Sequence, residues 1–231
     1  MKCIGLIGGV SWMSTEYYYR LINEEIGRRL GGLNSARIVM VSLNFEEVRR
    51  CVDSGDEEAL VHMYGTAARQ LENAGVDVLA LCSNAAHRRI DRLQALVDKP
   101  FIHIADAVGA AAGAAGIRRV GLLGTRETMG MPFMRNCLEE RGHLAVEVPG
   151  PADQNAVHSA IFDSVRDGLI GDVSTELDAV IRRLADSGCE GIVLGCTELP
   201  LLLERTKPVL PCFDSARLHA VALVEHALQI S

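Results

Sequence analysis

The side chain best suited to chemistry in this 231-residue sequence is the thiol of Cys196. It follows a short apolar run, Gly191 to Leu194, and precedes Thr197 and Glu198. Such a run predicts a buried parallel strand, and open α/β sheets bind ligands at the carboxyl ends of their strands. Because a thiolate forms where dipoles or charges favour it, Cys196 is a candidate nucleophile or base. The alternative is an ordinary buried thiol, since free cysteine is among the most buried residue types.

The chain contains this stretch twice, and aligning the two copies sets Ser83 opposite Cys196 and Cys82 opposite Gly195. Two further pairs follow in the same order: Ile4–Gly9 with Val120–Thr125, and Lys99, Pro100 and Asp106 with Lys207, Pro208 and Asp214. The two halves therefore look like copies of one α/β unit. If the copies pack about a pseudo-twofold axis, Ser83 and Cys196 flank a shared site.

Strand and helix patterns alternate along the whole chain, which favours parallel sheets with right-handed crossovers. The predicted strands are Cys3–Ile7, Arg37–Leu43, the run before Ser83, Phe101–Ile104, Arg119–Leu123, Ala145–Val148, Gly191–Leu194 and Val209–Phe213. The predicted helices include Glu57–Asn73 and one from about Ala85 to Val97. We therefore predict an α/β fold of two similar parallel-sheet domains, related by a pseudo-twofold axis, with the active site in the cleft between them. If each Lys-Pro junction carries the chain across, the first domain is discontinuous, with residues 1–98 and 209–231, and the second comprises residues 99–208.

Composition excludes several classes of partner. A net charge of −7 without a basic run argues against nucleic acid and anionic membrane as partners. Seven cysteines without CxxC spacing fit a reducing compartment better than a disulfide framework. No signal-peptide pattern and no apolar run of membrane-spanning length is visible, so the expected location is cytoplasmic.

The sequence also lacks the usual cofactor motifs. Its glycine-rich strand ends do not have GxGxxG spacing, and no phosphate loop occurs. The histidines are dispersed, which gives a histidine-rich metal site little support. The chain has only three lysines, two of them directly before prolines, so none is well placed to form a Schiff base with pyridoxal phosphate. We therefore expect chemistry without a cofactor or a metal.

Small hydroxyl and amide side chains follow the predicted strand ends. Helix amino termini bind carboxylates through free backbone N–H groups, which suits an acidic protein that must hold an acid. For any one of these residues, an ordinary N-cap is the alternative. The candidate substrate-binding residues are Ser11, Asn84, Thr125, Thr128 and Thr197.

Five segments resemble the aspartate/glutamate racemase superfamily: Ile4-Gly-Leu-Ile-Gly-Gly-Val-Ser-Trp12, Cys82-Ser-Asn-Ala-Ala-His87, Phe101-Ile-His-Ile-Ala-Asp106, Gly121-Leu-Leu-Gly-Thr-Arg-Glu-Thr128 and Gly195-Cys-Thr-Glu198. The resemblance implies two facing α/β domains, each of which supplies a cysteine that moves the α-proton on one face of an amino acid. It also implies catalysis without pyridoxal phosphate or metal, and a homodimer. Cys196 matches the cysteine of the second domain, and Thr197 matches the residue after it.

The sequence departs from the family pattern at the first cysteine. The family has Cys-Asn-Thr, whereas here Ser83 stands in the place of the cysteine and Ala85 replaces the threonine. Cys82 is one residue early, and a shift of one residue in a strand turns the side chain to the opposite face. A hydroxyl is much less acidic than a thiol, so we expect Cys196 to be the strong base and Ser83 a proton donor. Its possible helpers are His87, His103 and Glu198.

The resemblance therefore implies a racemase that acts on aspartate, glutamate or both, with a preference for the L-enantiomers. Two alternatives stay open: a malonate-type decarboxylase of the same superfamily, which needs only the second cysteine, and a binding protein for a small acid. The group that would recognise a substrate side chain is also open, with Arg49 and Arg126 among the candidates.

Overall fold

The structure is a computed structural model that describes residues 1–167, 174–203 and 207–229. The chain divides into two compact units: unit 1 comprises residues 1–103 and 219–231, and unit 2 comprises residues 104–218. Each unit contains one parallel sheet with accompanying helices, which confirms the predicted α/β fold of two parallel sheets. Within the described residues, no helix is both long enough and apolar enough to cross a membrane.

Unit 1 is built on three parallel strands. Its elements are β1 (Ile4–Gly8), α1 (Trp12–Leu30), β2 (Ile38–Ser42), α2 (Phe45–Ser54), α3 (Glu57–Asn73), β3 (Val78–Leu81) and α4 (Ile90–Gln94). The strand order is β2-β1-β3. Every residue of β1 and β3 is buried, which explains why their sequences are apolar throughout rather than alternating.

Unit 2 has a four-stranded parallel sheet. Its elements are α5 (Ile104–Ala114), β4 (Arg119–Leu123), α6 (Arg126–Gly130), α7 (Pro132–Glu140), β5 (Ala145–Glu147), α8 (Pro151–Asp167), α9 (Ser174–Asp186), β6 (Gly191–Leu194), α10 (Leu199–Leu203), β7 (Cys212–Asp214) and α11 (Ser215–Leu228), the last continuing into unit 1. The strand order is β5-β4-β6-β7. Ile192 and Leu194 pack into one apolar cluster and Val193 into another, so both faces of the sheet are covered.

An acidic residue fixes the amino end of an inner strand in each unit. In unit 1, Asp77 Oδ2 accepts a hydrogen bond from the Cys3 backbone N–H at 2.6 Å. In unit 2, Glu190 Oε2 accepts from the backbone N–H groups of Arg118 and Arg119 at 2.8 and 3.0 Å. Asp77 and Glu190 occupy equivalent positions in the aligned copies of the sequence repeat.

The unit boundaries differ from the predicted ones. The predicted boundaries follow residues 98 and 208, whereas the units change after residues 103 and 218. The reason is that the chain at or just after each Lys-Pro pair bonds back to the sheet it has just left. The Leu79 N–H donates to Pro100 O, and the Ile192 N–H donates to Pro211 O, both at 2.9 Å. Consequently β7 pairs with β6 in unit 2, and the last strand does not return to unit 1.

Three local predictions also need correction. The predicted strand Phe101–Ile104 is only a single bridge between Phe101 and Leu79, because α5 already begins at Ile104. The helices α6 and α10, which follow strand ends, were missed. The predicted helix from Ala85 to Val97 begins as a 3₁₀ turn, Ala85–Arg89, and continues as α4.

Candidate active site

The predicted site residues lie at the carboxyl ends of paired strands, and each unit gathers its own set. In unit 1 they follow β1 and β3, which are hydrogen-bonded neighbours, and in unit 2 they follow β4 and β6, which are also neighbours. The set in unit 1 is Ser11, Ser83 and Asn84, and the set in unit 2 is Thr125, Thr128, Cys196 and Thr197.

Cys196 is bonded directly to a carboxylate. Its Sγ donates to Glu198 Oε2 at 2.7 Å, and Thr197 Oγ1 donates to the same oxygen at 3.1 Å. All three side chains are partly buried. The two donors hold the Glu198 carboxylate against the sulfur, so the proton of the thiol has an acceptor built into the strand end.

This environment favours the thiol over the thiolate. Burial raises the pKa of Cys196 well above its usual value, and the Glu198 carboxylate raises it further because a second negative charge beside it is unfavourable. The backbone N–H groups of Thr197 and Glu198 lower the pKa of Cys196, but their effect is smaller. The backbone dipoles that make a strand-end cysteine a candidate base are therefore present at Cys196, but burial and the Glu198 carboxylate outweigh them.

Thr125 and Thr128 bond to each other beside this strand end. Thr125 Oγ1 accepts from the Thr128 backbone N–H at 3.3 Å, and the two hydroxyl oxygens are 3.1 Å apart. A Cβ on Gly195 would lie 2.9 Å from Thr128 Cγ2 and 3.0 Å from the Leu123 carbonyl oxygen. Thr125 thus has the N-cap role named as its alternative, and the Thr128 methyl group packs against the residue before Cys196.

The two adjacent side chains at the end of β3 differ in burial. Cys82 is 2% exposed, and burial raises the pKa of its thiol. Ser83 is partly buried, and its carbonyl oxygen lies 2.9 Å from His87 Nδ1. This burial pattern favours Ser83 over Cys82 as the residue that a substrate can reach. It also explains the 3₁₀ turn: because the imidazole occupies the Ser83 carbonyl, the His87 N–H bonds to Asn84 O at 3.2 Å.

Three buried imidazoles cluster behind Ser83 in unit 1. The ring centroids of His87 and His103 are 5.1 Å apart, and those of His87 and His219 are 5.3 Å apart, both edge to face. His219 Nδ1 lies 2.9 Å from the Tyr18 hydroxyl, and His219 Nε2 lies 2.9 Å from Ile102 O. Burial is the largest cause that lowers the pKa of His87 well below its usual value, and the neighbouring His219 and His103 lower it further, so the His87 ring is neutral. Among the described residues, no group of three or more His, Cys, Asp or Glu side chains has the geometry to hold a metal ion.

At the end of β1, the Thr15 hydroxyl holds the turn that carries Ser11. Thr15 Oγ1 accepts from the Gly9 N–H at 2.8 Å and donates to Ser11 O at 3.0 Å. Gly9 has a φ of +90°, and a Cβ there would collide with the Leu43 backbone, so only glycine fits this turn. The Ser11 side chain caps no backbone N–H, and the next residue, Trp12, is 70% exposed.

Arg126 is the cation that sequence reasoning left undecided. Its backbone N–H donates to His158 Nδ1 at 3.1 Å, and its guanidinium donates to Asn155 Oδ1 at 3.0 Å. It forms no ion pair within the described ranges 1–167, 174–203 and 207–229, whereas Arg49 pairs with Asp53 at 3.1 Å. Asn155 and His158 were not identified from the sequence, although their i, i+3 spacing places both on one face of α8.

Comparisons with known proteins agree with this architecture. Residues 7–223 match the sequence profile of the family described as Asp/Glu/Hydantoin racemase. The structure of a candidate Asp/Glu racemase from Yersinia pestis is 38% identical, covers 99% of this chain and 100% of its own, and superposes with a TM-score of 0.94.

Two further relatives carry related descriptions. An aspartate racemase homologue from Pyrococcus horikoshii OT3 is 34% identical over 99% of this chain and 100% of its own, with a TM-score of 0.88. A glutamate racemase from Persephonella marina is 25% identical over 217 residues, which is 87% of this chain and 81% of that protein. The relatives thus include proteins named for aspartate and proteins named for glutamate.

Proposed function

Since the chain belongs to the Asp/Glu/Hydantoin racemase family, we propose that it interconverts the enantiomers of aspartate, glutamate or both without a cofactor. Membership of the family confirms the expectation of an enzyme of the racemase class. The observation that carries the proposal is the 2.7 Å hydrogen bond from Cys196 Sγ to Glu198 Oε2 at the carboxyl end of β6. It supplies what a thiol needs to act as a base, namely a fixed acceptor for its own proton.

The proposed reaction begins in the Cys196–Glu198 pair. Transfer of the thiol proton to Glu198 leaves a thiolate and a carboxylic acid. The thiolate takes the α-proton of the amino acid, so that an S–H bond forms as the Cα–H bond breaks and the electron pair stays on the substrate. A proton delivered to the opposite face from the Ser83 side completes the inversion. The pair then holds one proton more, and the Ser83 side one fewer, until solvent restores both.

The raised pKa of Cys196 supports this role. A thiolate that is disfavoured by burial and by a neighbouring carboxylate is a stronger base once formed, and the α-proton of an amino acid requires a strong base. The positive α-ammonium of a bound amino acid favours the thiolate, because an opposite charge nearby stabilises the charged form. Substrate binding therefore helps to form the thiolate.

The Ser83 side supports unequal rates for the two enantiomers. A serine hydroxyl donates a proton readily to a carbanion but is a poor base, because its conjugate anion forms with difficulty. The direction in which Cys196 removes the proton is therefore the faster one, and we assign it to the L-enantiomer. The equilibrium constant stays near unity, so the asymmetry appears in kcat and KM.

Arg126 supports an acidic substrate side chain. It lies directly after Thr125, at the same end of the sheet as Cys196, and its described contacts are to neutral groups. A guanidinium binds a carboxylate through two parallel hydrogen bonds, which provides geometric selection as well as charge. We therefore assign recognition of the side-chain carboxylate to Arg126.

The test is incubation of the protein with each enantiomer of aspartate and glutamate in heavy water. We expect optical rotation to decay towards zero and deuterium to appear at the α-carbon, faster from the L-enantiomer. Release of carbon dioxide from malonate-type acids without racemisation would instead identify a decarboxylase. Tight binding with no deuterium incorporation would identify a binding protein, and either result would overturn the proposal.

A further inference from the structure

The two nitrogens of His87 have different surroundings. Nδ1 lies 2.9 Å from the Ser83 carbonyl oxygen, and because a carbonyl can only accept, Nδ1 carries the hydrogen. The neutral ring then has its lone pair on Nε2. That atom is buried, and it has no hydrogen-bond partner in the part of the chain that the structure describes. The polar contact of the His87 ring with a hydrogen-bonding distance of 2.9 Å is therefore made by Nδ1 to the Ser83 carbonyl.

The neighbouring rings hold His87 in place. His219 Nε2 lies 2.9 Å from Ile102 O and donates to it, because a carbonyl can only accept, and His219 Nδ1 lies 2.9 Å from the Tyr18 hydroxyl. This arrangement fixes the His219 ring on both sides, and the edges of His219 and His103 pack against His87. The His87 ring is held at 1% exposure, with its Nδ1–H directed at the Ser83 carbonyl.

We propose that His87 is a positioning residue for the Ser83 side of the reaction. Its ring is held in the cluster of buried imidazoles, and its Nδ1–H fixes the Ser83 peptide and so the direction of the Ser83 hydroxyl. This inference rests on the proposed racemase function. It gives the buried cluster a role in the reaction that acts through the Ser83 backbone.

The same geometry excludes the role of proton relay for His87. A relay needs the ring to accept a proton from Ser83 and pass it on, but the nitrogen facing Ser83 already carries a hydrogen and bonds to the carbonyl rather than the hydroxyl. The accepting atom, Nε2, is enclosed. Positioning and relay therefore predict different outcomes when the donor is kept and the titratable ring is removed.

Two variants separate these roles. His87→Phe keeps a buried aromatic ring but removes the donor, whereas His87→Asn keeps an N–H donor near the position of Nδ1 but removes the titratable ring. The measurement uses L-aspartate or L-glutamate in heavy water. Two rates are compared. The first is the rate at which deuterium enters without a change of configuration, which needs only Cys196. The second is the rate of inversion, which also needs the Ser83 side.

In His87→Phe we expect the ratio of retained-configuration exchange to inversion to rise about three- to tenfold, the size of one net hydrogen bond. In His87→Asn we expect the ratio to return to within about twofold of wild type. Because both products come from the same folded molecules, partial misfolding lowers both and leaves the ratio unchanged.

An unchanged ratio in His87→Phe would overturn the inference, as would an equal rise in both variants, which would mean that the titratable ring is needed. These failures differ from failure of the proposed function, which would appear in the wild type as an absence of α-exchange and inversion.

Discussion

The ends of β3 and β6 occupy equivalent positions in two copies of one unit, but the residues that we propose to react there, Ser83 and Cys196, are held differently. At β6 the partner of the reactive residue bonds to the reacting atom itself, since Glu198 accepts from Cys196 Sγ at 2.7 Å. At β3 the partner bonds to the backbone, since His87 lies 2.9 Å from the Ser83 carbonyl oxygen. In the proposed reaction, the β6 end therefore holds a proton that can pass from sulfur to carboxylate, and the β3 end holds a neutral hydroxyl in a fixed direction.

The two ends also differ in the residue just before the reactive one. Gly195 leaves no room for a Cβ beside Thr128 and the Leu123 carbonyl, whereas the equivalent position in unit 1 accommodates the whole buried side chain of Cys82. A repeat of the backbone thus does not imply a repeat of the site. The same strand end can present a base or a donor, depending on which few side chains surround it.

The largest expected effect is the difference in turnover between removing the thiol at the end of β6 and removing the thiol at the end of β3. Cys196→Ala should lower turnover by about 10³-fold or more, because the proposed base is removed. Cys82→Ala, which also removes one thiol, should keep turnover near the wild-type value. Initial rates from both enantiomers and melting temperatures measure the two effects. Loss of turnover in Cys82→Ala with unchanged kinetics in Ser83→Cys would mean that Cys82, not Ser83, serves the β3 side.

The second effect tests whether the proton stored at β6 matters. Glu198→Gln should lower kcat about 10- to 100-fold, because the thiol loses its proton acceptor. The same change should lower the pKa of Cys196, since the carboxylate that raises it is gone and only burial still raises it. At a fixed pH between 7 and 9, thiol alkylation should therefore become faster while turnover becomes slower.

The control for this opposite response is Glu140→Gln, because Glu140 is exposed and distant in sequence from the site. It should change neither rate. If alkylation and turnover both slowed in Glu198→Gln, Glu198 would not be the group that holds the thiol proton.

The third effect concerns the cation at the β4 end. Arg126→Ala should raise KM for aspartate or glutamate about tenfold with a smaller change in kcat, since one hydrogen-bonded charge pair with the substrate is lost. Arg118→Ala removes a similar charge at the amino end of β4 and should leave KM unchanged. Equal KM values for all three proteins would exclude Arg126 as the recognition group.

The fourth effect would make the two ends more alike. Ser83→Cys places a thiol at the end of β3, where its lower pKa makes it a better second base than an alcohol. We expect the kcat values for the L- and D-enantiomers to approach each other, with a change of a few-fold in their ratio. A ratio that moved further from unity would contradict the assignment of Ser83 to the weaker face.

The smallest effect is one of packing. Gly195→Ala should destabilise the fold by about 1–3 kcal/mol, because the added methyl group must displace Thr128 or the Leu123 carbonyl. Gly27→Ala, in the interior of α1 with no atom within 4 Å of the new Cβ, should instead stabilise it by about 0.5–1 kcal/mol. Urea unfolding of both variants decides this, and equal stabilities would show that the β6 end has spare room.

The sequence was sufficient where local rules determine the structure. The bounds of α3, β4 and β6 were predicted to the residue, because each is a continuous pattern that ends at a cap or a glycine. The sheet to which β7 belongs could not be predicted, since it depends on the hydrogen bond from Ile192 to Pro211, and no local pattern encodes that pairing. Short helices such as α6 were missed because five residues carry little periodicity.

For the site, the sequence placed Cys196 and Ser83 at strand ends but could not describe their surroundings. The raised pKa of Cys196 depends on burial and on the direction of the Glu198 side chain, both of which follow from tertiary packing. The contact from His87 to the Ser83 carbonyl was likewise invisible, although His87 was named as a possible helper. Residue types indicate which groups could react, and their contacts determine which protonation states are favoured.

The fluorescence of Trp12 can report binding at the end of β1. It is the only tryptophan in the 231 residues, it is 70% exposed, and it directly follows Ser11. Indole fluorescence reports the polarity around the ring, so a small molecule that settles beside Ser11 should alter the emission of an unlabelled protein. The signal does not require turnover, and affinity can therefore be titrated in the inactive Cys196→Ala protein, where a kinetic assay reads nothing.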